Sequence, residues 1–430
     1  MKVKGLRWLI IGLIFLATVI NYIDRSALSI MWGNENVEGS IAQSLDLTKD
    51  DYGNILNIFM VFYALGQLFT GKIFDKVGTR IGYVLSIGIW GLSSFLHSTV
   101  RGFLSISIFR SLLGFSEAGN WPGAVKSNAE WFPIKERAIA QGLFNAGASI
   151  GSVIAPLFIA TLFVAYGWRI TFMIVGSFGI LWIIPWLIIN KAGPKKHPWI
   201  TKEEQEFILK GQSKADQKED AATVKGKSLK EILSYRESWS IVVGRFFLEP
   251  IWWLFVGWMP IYLFDVYGFD VKQVGMFAWF PYVGAALGSI AGGYVSGRII
   301  SKTNSINKGR KTTILIGGII MFLGLVATVL YGNTPITFVS IVFLVLFGFQ
   351  FAIGNVQTLP SDLFNGKSVG SLAGLGGMVG VFSVIIMNKL VPIVVEAYGY
   401  TPIFAAIGVF VPLGVGAIYL FARKIRNVEE

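Results

Sequence analysis

The chain has 430 residues, of which 53% are hydrophobic and only 14% charged, with 34 Phe, 14 Trp and a mean hydropathy of +0.61. Soluble proteins carry about 25% charged residues, so this composition excludes an ordinary water-soluble domain and points to a chain solvated by lipid. The lack of Cys and the presence of only His97 and His197 exclude disulfides, thiolate centres and a His-rich metal site, and the formal charge of +12 lies in short segments between apolar runs, not in a nucleic-acid patch.

Lys2, Lys4 and Arg7 lead into an apolar run over 8–31. At about 1.5 Å per residue it is long enough to cross a hydrocarbon layer of about 30 Å. A signal peptide also begins with a basic stretch and an apolar run. This run is longer, carries Asp24 and Arg25 and shows no small-residue cleavage site, so it reads as a retained first helix. An acid and a guanidinium at that depth cannot face lipid without a cost of several kcal/mol. They must turn inward, toward other helices or a watery cavity.

Further apolar runs follow at 53–74, 79–100, 103–125, 138–164 and 169–190, and then at 240–265, 272–297, 311–331, 336–359, 367–395 and 400–421, making twelve in all. Between the two sets of six lies 191–239, rich in Lys, Glu, Gln and Asp, which suits a solvated linker with one surface helix from Lys202 to Lys210. Lys76 and Arg80, Lys135 and Arg137, and Arg298 to Lys311 fall in one set of connecting segments, while the opposite set is acidic or neutral. The positive-inside rule then places both termini and the linker in the cytoplasm, which an even number of spans satisfies.

The halves read as distant repeats. Gly71-Lys72-Ile73-Phe74-Asp75-Lys76-Val77-Gly78-Thr79-Arg80 joins the second and third runs, and Gly293-Tyr294-Val295-Ser296-Gly297-Arg298 holds the same place in the second half. Glycines there permit close helix approach and a tight turn, and Asp75 can meet a helix N-terminus or an Arg. Gly71, Asp75, Gly78 and Arg80 are thus the gating candidates.

With these strings in hand, the sequence resembles the major facilitator superfamily, and within it the anion:cation symporter branch of hexuronate, galactonate, glucarate and phthalate carriers. The resemblance covers essentially the whole chain. It rests on Asn21-Tyr22-Ile23-Asp24-Arg25, Arg110 to Pro122, Glu130-Trp131-Phe132-Pro133, Phe144 to Gly151, and Pro250-Ile251-Trp252-Trp253. It implies an all-α membrane protein with twelve transmembrane helices in two six-helix bundles, 1–190 and 240–430, joined by the cytoplasmic linker 191–239. The implied function is proton-coupled import of a small organic anion, in the first place a hexuronate, by a monomeric carrier in the cytoplasmic (inner) membrane. Galactonate, glucarate or another carboxylate is the alternative substrate, and a non-transporting sensor of such an anion is the alternative function. Two departures stand out: Gly297 occupies a position where the family carries an acid, and Val381-Phe382-Ser383 follows Gly376 to Gly380 where the family continues with glycines.

Depth along the helices sorts the buried polar residues. Arg110 lies roughly 12 Å into its run and Asp24 roughly 10 Å below the same surface, so the two can pair. The pair is either a permanent tie or one that opens when Asp24 is protonated, as the resemblance implies. Arg25 is then left for a substrate carboxylate, its role in the family, or for loop carbonyls or Glu249. Glu117 sits about 22 Å down its run among small residues, as a proton site or as an acid bonded to Lys126 or backbone. Proton coupling is accordingly assigned to Asp24, Glu117 and Arg110. Tyr22 lines the same cavity, and Asn120 and Asn145 either bind sugar hydroxyls or tie helices. In the second half Arg245, Glu249 and Trp253 share one helix face, and Asn355, Gln357 and Asn388 complete the substrate candidates. No P-loop or H-E-x-x-H string is present, so neither an ATP-driven pump nor a zinc hydrolase is expected, nor any other enzyme, and no cofactor.

Overall fold

The computed structural model describes residues 2–33, 37–210, 228–364 and 367–425, apart from some side chains within its helices. It is helical throughout the described residues, with a single isolated parallel bridge between Val3 and Ile200. The helices are α1 (Leu6–Trp32), α2 (Ile41–Leu45), α3 (Lys49–Leu96), α4 (Phe103–Glu117), α5 (Asn120–Trp131), α6 (Ile134–Ile189) and α7 (Lys202–Lys210). There follow α8 (Leu229–Ser234), α9 (Ser238–Tyr267), α10 (Val271–Ala278), α11 (Phe280–Thr303), α12 (Ile306–Tyr331), α13 (Pro335–Leu363), α14 (Lys367–Tyr398) and α15 (Thr401–Phe421). Among the described residues nine stretches are long and apolar enough to cross a bilayer, so this is a multi-spanning membrane fold.

Two helices are too long for one crossing. The 48 residues of α3 and the 56 of α6 would reach about 72 and 84 Å if straight, well over twice the hydrocarbon thickness. Each turns at a glycine of positive φ, Gly78 (+77°) and Gly167 (+73°), with open space where a side chain would stand. Backbone conformation, not crowding, demands glycine at both positions. Close approach demands it elsewhere: on α11, Gly284, Gly288 and Gly292 lie against the carbonyls of Phe343, Phe347 and Phe351 on α13. This spacing of four puts one small-residue stripe along a helix face, the usual means of tight packing where lipid removes the hydrophobic drive.

The chain divides into two compact units. The first comprises Met1–Met31, Glu38–Leu47 and Ile58–Thr223, and the second Trp32–Val37, Thr48–Asn57 and Val224–Glu430. The surface helix expected from Lys202 to Lys210 is α7, with those bounds. The residues before it are not the free linker that their polarity suggested. His197 is buried against the first unit, edge-on to Trp131 at 5.6 Å. Its Nε2–H donates to the carbonyl of Ile189 (2.8 Å) and its Nδ1 accepts from the Trp199 N–H (3.1 Å). These two contacts select the neutral imidazole.

Burial, together with the ammonium groups of Lys191 and Lys2, holds His197 below its ordinary value of 6.5, against the opposing pull of the Ile189 hydrogen bond. Between the folded value and 6.5 the unfolded chain binds more protons, so this contribution is complete above 6.5 and is lost as pH falls through the folded value. The melting temperature of wild type in detergent should exceed that of His197→Phe at pH about 7.5, and the gap should close toward pH about 5. A gap that widens on acidification would contradict the assignment.

Candidate functional site

The polar centre of the first unit is built on α1 and α4. On α1, Asn21 and Arg25 stand one turn apart and share a face, and Arg25 Nη2 donates to Asn21 Oδ1 (3.3 Å). On α4, Arg110 and Glu117 are seven residues apart, about 10 Å along one face. Arg25 reaches Glu117: Nε and Nη2 both donate to Oε2, at 3.1 and 2.8 Å, and both side chains are buried. Depth along the helices pairs Asp24 with Arg110 and leaves Arg25 for a substrate carboxylate, loop carbonyls or Glu249. Cα positions alone omit that side chains lean toward the N-terminus of their own helix. In helices that run in opposite directions those leanings converge, so a level difference of about 13 Å closes.

Three rings surround the Arg25 guanidinium, Tyr22 at 5.0 Å, Tyr63 at 5.1 Å and Phe59 at 5.7 Å. Phe59 and Tyr63 stack on each other at 5.8 Å. Their faces supply electron density to a cation that lipid would not solvate. Sequence reasoning named Tyr22 and missed the other two. Their four-residue spacing in an apolar run reads as ordinary core, and only the phenolic oxygen of Tyr63 was a signal.

Asp24 turns to α3, where Ser94 Oγ donates to its Oδ1 (2.6 Å). Arg110 lies within Coulombic reach of both Asp24 and Glu117. Two acids and two guanidinium groups therefore make a buried set with no net charge when all are ionised. At its edge sits His97, buried, with Nδ1 2.7 Å from the Ser93 carbonyl and its ring stacked on Phe172 at 5.0 Å. Among the described residues no group of His, Asp and Glu could hold a metal ion.

Asn120 follows a break between α4 and α5. Its Nδ2 donates to Thr18 Oγ1 (3.1 Å), while its Oδ1 is buried without a hydrogen-bond partner among the described residues. Asn145 is half-buried on α6. Arg80 donates to the carbonyls of Lys191 (3.0 Å) and Leu187 (3.3 Å), closing the C-terminal end of α6. Gly78 supplies the bend in α3, and the surroundings of Gly71 and the side chain of Asp75 lie outside what is described. Lys126, one suggested partner of Glu117, donates to the Phe74 carbonyl (2.8 Å).

The second-half candidates are dispersed within their own unit. Arg245 Nε donates to Glu249 Oε1 (2.8 Å), an i,i+4 pair on α9, and Nη1 donates to the Ala373 carbonyl (3.3 Å). Trp253 is half-buried two turns beyond Arg245. Asn388 Oδ1 accepts from Trp258 Nε1 (3.0 Å). Asn355 Oδ1 accepts from Arg310 Nη1 (3.1 Å), and Arg310 also pairs with Asp362 (2.9 Å) and reaches Ser296 (3.3 Å). Gln357 is exposed. Arg310, beyond the second-half loop, thus gathers partners next to Gly297, where no acid stands.

A helical protein that crosses the bilayer repeatedly and carries a neutral set of four charges within it has the make-up of a solute carrier. The model of the Major Facilitator Superfamily matches residues 14–388, and the chain belongs to that superfamily of transport proteins. It is 33% identical over 432 residues to the hexuronate transporter of Escherichia coli K12, covering all of this chain and 96% of that one. It is 34% identical over 322 residues to the galacturonate transporter of Dickeya chrysanthemi, covering 74% and 90%. In fold it matches a bacterial homologue of the human lysosomal transporter Spinster, crystallised inward-facing and unoccupied, with a TM-score of 0.72 at 17% identity over 99% and 98% of the two chains.

Removing the Glu117 carboxylate leaves Arg25 buried without its anion, a defect worth about 3–5 kcal/mol. Glu117→Ala should therefore melt well below wild type in detergent, and Glu117→Gln, which still accepts a hydrogen bond, should lie between them. Equal melting of Glu117→Ala and wild type would show that Arg25 does not depend on Glu117.

Proposed function

We propose that this transporter carries a small organic anion, a hexuronate first of all, inward together with protons. The observation that supports this reading most directly is the Arg25–Glu117 pair inside its aromatic cage. A guanidinium held by a carboxylate at two donors is already shaped for a second carboxylate. Protonation of Glu117 removes the competing anion, and a substrate carboxylate takes its place on Arg25. The proton and the anion then enter as a neutral set, and neither is stable in the membrane interior without the other. Asp24 and Arg110 form the second half of that set, and Asp24 is the further proton site. Tyr22 and Tyr63 offer ring faces and hydroxyls to the sugar, and the unpartnered Oδ1 of Asn120 offers it an acceptor. Asn145 is a further contact in this reading. Asn355 and Asn388, occupied by Arg310 and Trp258, drop to supporting roles.

In this reading the chain makes twelve crossings in two bundles of six, with both termini cytoplasmic. The kinks at Gly78 and Gly167 support that count, since α3 and α6 each supply two crossings and α4 with α5 one. The basic connecting segments support the orientation. The likeness to hexuronate and galacturonate transporters supports the substrate class.

Two variants in reconstituted vesicles test the coupling and the anion site. Glu117→Gln mimics the protonated acid permanently, so it should exchange labelled glucuronate across the membrane yet fail to concentrate it under an imposed pH gradient. Full gradient-driven accumulation by this variant would place the proton elsewhere. Arg25→Lys keeps the charge but lacks the two-donor fork, and uptake should fall at least about tenfold at equal surface expression. Competition by uronates, aldonates and aldarates then ranks the anions, and indifference to all of them would overturn the substrate assignment.

A further inference from the structure

Residues 191–210 are fastened to the start of α1 by backbone and charge together. The Val3 N–H donates to the Trp199 carbonyl (2.7 Å), and Lys2 Nζ donates to the Ile200 carbonyl (3.0 Å). On α7, Glu204 is 6% exposed and the described bonds of its carboxylate all go to one place. Its Oε2 accepts from the N–H groups of Gly5 (2.8 Å) and Leu6 (3.0 Å), and its Oε1 from the Arg7 N–H (3.2 Å) and Arg7 Nη1 (2.7 Å). The other edge of the same guanidinium meets Glu136, in the first turn of α6, at 2.9 Å. The first turn of α1 has no acidic residue of its own. A helix N-terminus presents unpaired N–H groups and the positive end of the helix dipole. Glu204 supplies the missing anion from a helix about 200 positions away in the chain.

We infer that Glu204 is a positioning residue for transport: it fixes α1 along its axis, and residues 191–210 move with the first unit through the transport cycle. Arg7 and Arg25 are separated by 18 residues, about 27 Å of helix, with no proline between them. A helix is stiff along its axis, so a shift at Arg7 arrives undiminished at Arg25. Its contacts to Glu117 at 2.8 and 3.1 Å tolerate only a few tenths of an ångström. The inference rests on the reading of Arg25 as the carboxylate-binding residue.

The experiment uses full-length protein in vesicles, with the sugar acid of the panel that wild type exchanges best. Glu204→Gln should raise amide exchange across residues 5–7 and raise the apparent KM for counterflow about fivefold, with Vmax per folded molecule unchanged. Glu204→Asp should recover part of the affinity. Glu204→Lys should weaken the affinity further than Glu204→Gln, because a cation then faces the helix N-terminus. Raised amide exchange with an unchanged KM would reduce Glu204 to a structural cap and overturn the inference, as would wild-type affinity in Glu204→Lys. Because the protein has no Cys, the pair Val3→Cys and Ile200→Cys gives a second, independent reading. It should form a disulfide, and the oxidised carrier should exchange substrate within about twofold of the reduced one. Failure to cross-link, or transport blocked until a reductant is added, would overturn the claim that the segment moves with the first unit. A wild type that exchanges no sugar acid would instead refute the proposed function.

Discussion

A guanidinium inside a bilayer has few stable surroundings, and Arg25 has found one. Its charge is answered by Glu117, its planar faces by three aromatic rings and one of its donors by Asn21. Asn21 and Tyr22 come from α1 itself, while Glu117 reaches Arg25 from α4 and Phe59 and Tyr63 from α3, so the contact depends on the height and rotation of three helices. The same requirement explains why Asp24 does not stand alone. It lies one residue from Arg25, faces the other way to Ser94 and shares the field of Arg110, so the four charges cancel over a short distance. Removing any one charge from a set that is neutral only as a whole leaves an uncompensated charge inside the membrane.

The two units use acid–base pairs differently. Arg25–Glu117 joins two helices, whereas Arg245–Glu249 lies within one turn of α9. An inter-helix pair senses any relative displacement of its helices. An i,i+4 pair keeps its geometry wherever its helix goes, and contributes mainly to keeping two charges satisfied in place. Away from the membrane centre, Arg310 with Asp362, Asn355 and Ser296, and Arg7 with Glu136 and Glu204, each tie several segments to one planar side chain. Both are arginines, whose fork makes bonds to more than one partner at once.

Much of this was legible from residue pattern alone. Apolar runs located the helices, the polarity of the segment after 191 located α7, and the glycines at the ends of paired runs marked the bend at Gly78. What pattern could not supply was direction. Asp24 and Arg110 match in depth, yet side-chain lean brings Arg25 to Glu117. Asn355 and Asn388 look like ligands when their neighbours are unknown, and become partners of Arg310 and Trp258 once those arrive from distant helices. Phe59 and Tyr63 were hidden because an aromatic pair in a lipid-solvated helix is unremarkable until a cation lies over it. Glu204 was hidden for the opposite reason: an acid in a charged helix reads as surface, and its partners are backbone amides that no sequence pattern displays.

The separation of Arg25 from Glu117 along the chain has a bearing on biosynthesis. The two are 92 residues apart, so at about 5–20 residues per second Glu117 is made about 5–20 s after Arg25. During that interval α1 must enter the membrane with Asp24 and Arg25 adjacent and without the partners that other helices give them in the finished protein. Its insertion depends on the rest of the helix, whose mean hydropathy reaches 2.0. The late arrival of Glu117 therefore limits how polar the first helix can become: every further polar residue there has to be tolerated by a nascent span whose partners on other helices are not yet made.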